Sequence, residues 1–268
     1  MESKSKIRRM GKGATMIHIF TSVVNRPDFV SIQNQLFKKF LKNDYKFHIV
    51  DDSVDSTIAK QFETICSLNQ LEYYKTPKKL EHSNPSTKVG NVIQWVFDEI
   101  IKKNYSSDIV FWLDSDMFLI DEFDIEDYVS DCVIAGLPQV RGHIKYMWNG
   151  IMFFNMPKLM ALDPNIKFNI DSIDGYELDT GGETYHYFKK NNIDMKPTND
   201  GRPIYPTHYN EIDLQKDAAG YNMELHLDNK FLHYRAATNW HSNWRGFEDP
   251  LIGKTQVFNQ VIESVLSE

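Results

Sequence analysis

Cysteine is scarce in this chain. The two present, Cys66 and Cys132, stand far apart and outside any C-x-x-C or Cys/His cluster, which excludes a disulfide framework and a thiolate zinc site and leaves both as buried free thiols. Long apolar runs are missing as well, so no transmembrane segment is expected. The start, MESKSKIRRMGKGA, is basic but has no apolar stretch behind it. Residues 1–15 therefore read as a flexible tail rather than a signal peptide, and the expected location is cytoplasmic. Positive charge is in deficit: 30 Lys and Arg against 37 Asp and Glu give a net charge of -7, which argues against a general nucleic-acid binder while allowing a local basic patch at a phosphate site. Gly/Ser linkers, repeats and low-complexity tracts are absent too, so residues 16–268 are expected to form one domain, ordinary in its 41% apolar and 25% charged content.

What is present is organised around Ile109–Ile120, IVFWLDSDMFLI. Its apolar flanks read as a strand buried on both faces, where an unpartnered carboxylate would cost several kcal/mol, so Asp114 and Asp116 are expected where the strand ends and opens to a ligand. In extended backbone the period of two points both to one side, with Ser115 opposite. Paired oxygen donors suit Mg²⁺ or Mn²⁺, which keep other positions for water and substrate phosphates. The plainer alternative is that an Asp at a strand end only turns the chain.

The chain before this point alternates. Ile17–Val24 reads as a strand, the segment after Pro27 as a helix with Ile32, Leu36, Phe37 and Phe40 on one face, and Lys46–Val50 as a strand running into Asp51, Asp52 and Ser53. A helix over Ser56–Leu68, a short strand at Leu71–Tyr74, a polar loop Lys75–Thr87 and a helix over Lys88–Ile101 follow. This order predicts an α/β fold, a mostly parallel Rossmann-like sheet flanked by helices. Later, Cys132–Gly136 and Ile151–Asn155 read as strands divided by a loop, Leu137–Gly150. Thr180–Lys190 reads as a helix, Lys230–Tyr234 as a last core strand and Thr255–Leu266 as a C-terminal amphipathic helix.

With these pieces in order, the chain resembles the GT-A class of nucleotide-sugar glycosyltransferases over nearly its whole length after the basic tail. Thr21 and Ser22 followed by Asn25-Arg26-Pro27 look like the opening nucleotide-binding strand and turn, and HIVDDS at His48–Ser53 is similar to the family 2 signature whose acidic residue meets the base. Asp114-Ser115-Asp116 matches the DxD motif, and FLHYRAATNW at Phe231–Trp240 looks like the late histidine segment that completes the metal site. The second signature lacks a Gly between Asp52 and Ser53 and the late segment lacks the Gly and Lys of the family 8 version, so the resemblance stops at the superfamily.

The resemblance implies a nucleotide-sugar-binding half, 16–120, and an acceptor-binding half, 121–268. It implies Asp114, Asp116 and His233 as ligands of Mn²⁺ or Mg²⁺, and Thr21, Asn25, Arg26, Asp51, Asp52, Lys88, Asp114, Ser115 and Arg235 as contacts of a UDP- or GDP-sugar. It implies a hexosyl- or pentosyltransferase acting on a carbohydrate or glycoconjugate acceptor, with neither nucleic acid nor membrane span as partner.

Each role has a plainer alternative. Lys88 and Arg235 are equally read as solvated charges, Asp51 and Asp52 as turn formers, and His233 as a hydrogen-bonded core residue, with His241 a weaker substitute ligand. Ahead of the Thr180 helix stand Glu177, Asp179 and Glu183. Thr180 and Glu183 have capping-box spacing, so Asp179 is preferred as the base that deprotonates an acceptor hydroxyl, with Glu183 second. Trp148, Asn149 and Gly150, and further on Trp240 or Trp244, are read as a sugar platform or as core and loop anchors. The rival functions are a phosphohydrolase of the haloacid dehalogenase type, which also carries DxD after a buried strand, and a non-catalytic nucleotide-sugar binding module.

Overall fold

The computed structural model describes residues 15–198, 204–214, 223–235, 237 and 251–267, the last segment with side chains from 255 onward. The first half follows the expected alternation: β1 (Ile17–Val23), α1 (Pro27–Phe40), β2 (Tyr45–Asp51), α2 (Ser56–Asn69), β3 (Glu72–Lys75), α3 (Pro85–Val96) and, after a π-helical turn (Phe97–Ile101) and α4 (Lys102–Asn104), β4 (Ile109–Leu113). α1 and α3 each begin on a proline, whose missing N–H is no loss in a first turn. The α3 helix starts earlier than its apolar periodicity implies because Asn84 accepts the Thr87 N–H and Pro85 presets the first turn.

The second half runs through β5 (Met117–Leu119), α5 (Ile125–Val129), β6 (Ile134–Arg141), β7 (Ile144–Asn155), α6 (Met156–Leu162), β8 (Asp171–Ile173), β9 (Tyr176–Leu178), α7 (Thr184–Asn191) and β10 (Lys196–Pro197). β11 (His208–Tyr209), β12 (Ile212–Asp213), β13 (Met223–His226), β14 (Phe231–Tyr234) and α8 (Leu251–Ser267) complete it.

The main sheet has seven strands in the order β10-β6-β7-β4-β1-β2-β3. Only β7 runs against the others, through its antiparallel ladders with β4 and β6. The chain moves outward from β1 to β2 and β3, then returns to the other side of β1 as β4. That reversal is the switch point at which α/β sheets open a ligand crevice beyond the carboxyl ends of their strands. Both sheet faces are covered: Ile19, Ile49, Phe111 and Phe153 face the α1 and α2 side, while Phe20, Val110, Trp112 and Phe154 pack with Val96 and Phe97. Side chains alternate between two apolar layers, which is why these strands read as unbroken apolar runs.

One expectation is corrected. The segment 137–150 is no loop: β6 and β7 form a hairpin closed by Gly142-His143, with Gly142 at φ 58. Arg141 and His143 are exposed at the tip of this ribbon, while along β7 Ile144, Tyr146 and Asn149 are buried and Lys145 is half-buried. The last core strand is found as expected at Phe231–Tyr234, buried throughout, and it pairs with β13 and β5 in a separate three-stranded sheet. Cys66 is buried as expected, whereas Cys132 is half-buried, and both are free thiols.

Midway along β2, His48 is fully buried and stacked on Phe20 at 4.3 Å, with its Nε2 3.0 Å from His18 Nδ1. Burial, then the neighbouring His18, pushes His48 down to about 3. The unfolded chain would protonate this ring near 6.5, so its contribution is complete above that pH and is lost as pH falls from 6.5 toward 3. His48→Phe is expected to remove a loss of about 1.4 kcal/mol per pH unit across that window. Urea unfolding at a series of pH values checks it, and identical slopes in the two proteins would refute it.

Candidate active site

The crevice is built first by the turn after β4. The Asp114 N–H donates to Gly150 O at 2.9 Å and the Met117 N–H to Asp114 O at 3.1 Å, so Asp114-Ser115-Asp116 is a tight turn and not extended strand. This corrects the alternation argument, since the carboxylates share the site through a turn. Gln33 of α1, fully buried, donates its amide to Asp114 O at 3.1 Å and Met117 O at 2.9 Å, closing the turn from beneath. Its place on the α1 apolar face gave the sequence no signal for this role.

The turn leads straight into β5, which places His233 opposite Met117 across the small sheet. The Tyr234 N–H donates to Asp116 O at 2.8 Å, and His233 Nε2 stands 3.7 Å from Asp116 Oδ1. Asp116 thus faces one imidazole, and the charges of both are felt at Asp114. Burial, then the Asp116 charge, pushes the Asp114 carboxyl up to about 8. Burial works the other way on His233, but the bond to Glu224 and the charges of Asp116 and Asp114 raise it. A carboxyl and an imidazole both shifted upward by neighbouring negative charge mark a site short of positive charge. Carboxylate oxygen and imidazole nitrogen are the donor set of Mn²⁺, so these residues fit a divalent cation.

On the β1–β2 side, the Thr21 hydroxyl is buried with no partner among the described residues. Asn25 and Arg26 follow β1; the Arg26 guanidinium binds Asp28 and lies 3.7 Å over the Phe29 ring. Asp51 is turned inward, accepting from the Ser53 N–H at 2.7 Å, the Tyr73 hydroxyl at 2.7 Å and Lys75 Nζ at 2.9 Å. Asp52 accepts from the Thr76 hydroxyl at 2.9 Å and pairs with Lys88 at 3.0 Å, while Lys88 also reaches Glu81 at 3.2 Å.

On the other side a three-residue bulge does the positioning. Leu137 pairs with Trp148 and Gly136 with Met152, so Asn149–Ile151 have no counterparts on β6. The bulge aims the Asn149 amide at Asp114, donating at 3.2 and 3.4 Å to its two oxygens. Gly150 leaves room for the Trp148 indole, which would meet a Cβ there at 2.0 Å, and the indole centroid lies 5.5 Å from that of His233.

Gly181, at φ 94, seats the next loop against Met147 of β7, and its own N–H donates to Phe168 O, before β8, at 2.8 Å. Asp179, exposed at the edge of this loop, accepts from the Thr180 N–H at 2.8 Å, and its charge is felt at Asp114. The expected capping box is not formed. The left-handed Gly181 diverts the chain, α7 starts only at Thr184, Glu183 accepts from the Asn169 N–H at 3.2 Å, and the Thr180 hydroxyl donates to Ser86 O at 2.9 Å. Arg235 Nε lies 3.0 Å from Glu224 Oε1. Trp240, His241 and Trp244 lie outside the described residues. Glu224 and His226 were missed altogether, although the alternation Met223-Glu224-Leu225-His226 is itself a strand signal.

No family model matches the chain, and no curated protein matches it. Solved structures do. The galactosyltransferase LgtC, in complex with donor and acceptor sugar analogues, matches at a TM-score of 0.50 and 10% identity, covering 92% of this chain and 95% of that one. The mannosyltransferase PcManGT from Pyrobaculum calidifontis, in complex with GDP-Man and Mn²⁺, matches at 0.46 and 9% identity over 71% of this chain and 56% of that one. The bifunctional glycosyltransferase WbbM matches at 0.40 and 10% identity over 58% of this chain, which spans 34% of that one. The near full-length likeness to LgtC, with the sheet order above, gives this chain the GT-A fold.

Proposed function

We propose that the protein is a metal-dependent glycosyltransferase that moves a hexosyl or pentosyl group from a UDP- or GDP-sugar to a hydroxyl of a carbohydrate or glycoconjugate. The carrying observation is the approach of His233 Nε2 to Asp116 Oδ1 at 3.7 Å, in the turn that also carries Asp114, at the switch point of the sheet. Asp114, Asp116 and His233 would hold Mn²⁺ or Mg²⁺, and the cation when bound supplies neutralisation of the departing nucleoside diphosphate.

The other steps fall to the chain. Base, ribose and phosphate contact is assigned to Thr21, Asn25, Arg26 and Asp52 toward the carboxyl ends of β1 and β2, with Lys88 paired to Asp52 at 3.0 Å, and phosphate contact to Ser115 of the turn after β4. Asn149 orients Asp114, and Trp148 over Gly150 offers an aromatic face for a sugar ring. Asp179 takes the proton of the acceptor hydroxyl as its oxygen bonds to the anomeric carbon and the donor diphosphate departs with its bonding electrons; Glu183 is the second candidate. Among the described residues no helix is long and apolar enough to cross a membrane, and the free thiols support a reducing, cytoplasmic setting.

Calorimetric titration with UDP-, GDP- and dTDP-sugars tests this reading. Binding of one donor that requires Mn²⁺ and is reversed by chelation is expected. No binding of any donor overturns it, and an aspartyl-phosphate trapped at Asp114 would restore the phosphohydrolase, whose fold the match does not favour. Donor binding without hydrolysis or transfer would leave a binding module.

A further inference from the structure

Glu224 belongs to no motif, yet the small sheet delivers it to the site. β13 pairs with β14 so that Glu224 stands directly opposite His233, and β14 pairs with β5 so that His233 stands opposite Met117, the neighbour of Asp116. Opposed residues on one face of a sheet hold their side chains in contact. Glu224 Oε1 is occupied by Arg235 Nε at 3.0 Å, which leaves Oε2 at 3.0 Å from His233 Nδ1 and 3.3 Å from His226 Nε2. A carboxylate only accepts, so the Nδ1 it faces carries the proton, and in the neutral ring the lone pair falls on Nε2, 3.7 Å from Asp116 Oδ1.

We propose that Glu224 is the positioning residue of the cation site: it holds His233 as the Nδ1–H tautomer, aims Nε2 at the space beside Asp116, and strengthens that nitrogen as a donor. The inference rests on reading Asp116 and His233 as metal ligands. A competing arrangement is on the same strands, since Glu224, His226 and His233 offer ligand atoms within 4.8 Å of one another. It is disfavoured because a cation held there through Nδ1 would sit against the Arg235 guanidinium on the same carboxylate.

The test measures Mn²⁺ affinity by electron paramagnetic resonance, with and without UDP or GDP, for the intact chain and for Glu224→Gln, Glu224→Leu, His226→Gln and Asp116→Ala, with folding checked by circular dichroism. Glu224→Gln, which still accepts a hydrogen bond, is expected to bind about tenfold more weakly and Glu224→Leu about a hundredfold. His226→Gln is expected to bind as the parent does. In the metal-free protein at alkaline pH, ¹⁵N spectra of labelled histidine should show His233 as the Nδ1–H form, lost in Glu224→Leu, a change that a merely structural role would not produce. Parent-like affinity in folded Glu224→Leu, with Asp116→Ala inactive in binding, overturns the inference and leaves the metal reading standing. Loss on His226→Gln with retention in Asp116→Ala places the cation in the three-residue cluster and overturns it too. Absence of Mn²⁺ binding by the parent chain under every condition removes the metal reading itself.

Discussion

Asp116→Ala is expected to lower sugar transfer by about 10³-fold and to abolish Mn²⁺ binding while the protein stays folded. Neutralising a leaving diphosphate is worth several kcal/mol, and each 1.36 kcal/mol is a factor of about ten in rate. Asp116 is the residue to remove because the sheet fixes it from two sides: its carbonyl accepts from the Tyr234 N–H at 2.8 Å, and its carboxylate faces His233 Nε2 at 3.7 Å. The backbone bond survives in the alanine variant, so the turn keeps its place. Initial rates with the donor identified by titration, beside Mn²⁺ affinity, check the result. A variant that transfers at more than a tenth of the parent rate would remove Asp116 from the metal site and with it the proposed chemistry.

Gly181→Ala is expected to destabilise the fold by about 3–5 kcal/mol, combining left-handed backbone strain with overpacking. Gly181 has φ 94, and a Cβ there would stand 1.9 Å from Met147 O, a backbone atom that cannot swing away. Relief requires the loop to lift from β7. The same loop carries Asp179 and receives Thr184, whose hydroxyl donates to Gly181 O at 2.6 Å and accepts from the Met147 N–H at 2.9 Å. Lifting it therefore moves the proposed base away from Asp114 and lowers the rate as well. Denaturant unfolding reads the first effect and turnover the second. Parent-like stability would mean that the loop has another seat than the one described.

How legible each part was follows from how local its cause is. The alternation up to β4 was readable because its strands are short, β1 and β4 are apolar on both faces, and each is separated from the next by a helical period. The hairpin of β6 and β7 was not, because its clustered Arg141, His143, Trp148, Asn149 and Gly150 read locally as a loop and its bulge shows only as a register shift between the paired strands. The capping box failed for a similar reason. Its spacing is a local pattern, and the contact of Gly181 with β7 decided it from outside.

The sequence by itself determined the fold class and put Asp114 and Asp116 at the end of a buried strand, because apolar periodicity and the cost of burying charge act along the chain. It also singled out His233. Tertiary structure alone decided which groups surround them. Asn149 reaches Asp114 through a bulge, Gln33 closes the turn from α1, and Glu224 stands across a ladder from His233. Those relations depend on strand register and on the order of strands in the sheet, which are settled only when distant segments pack, and no spacing within the chain encodes them.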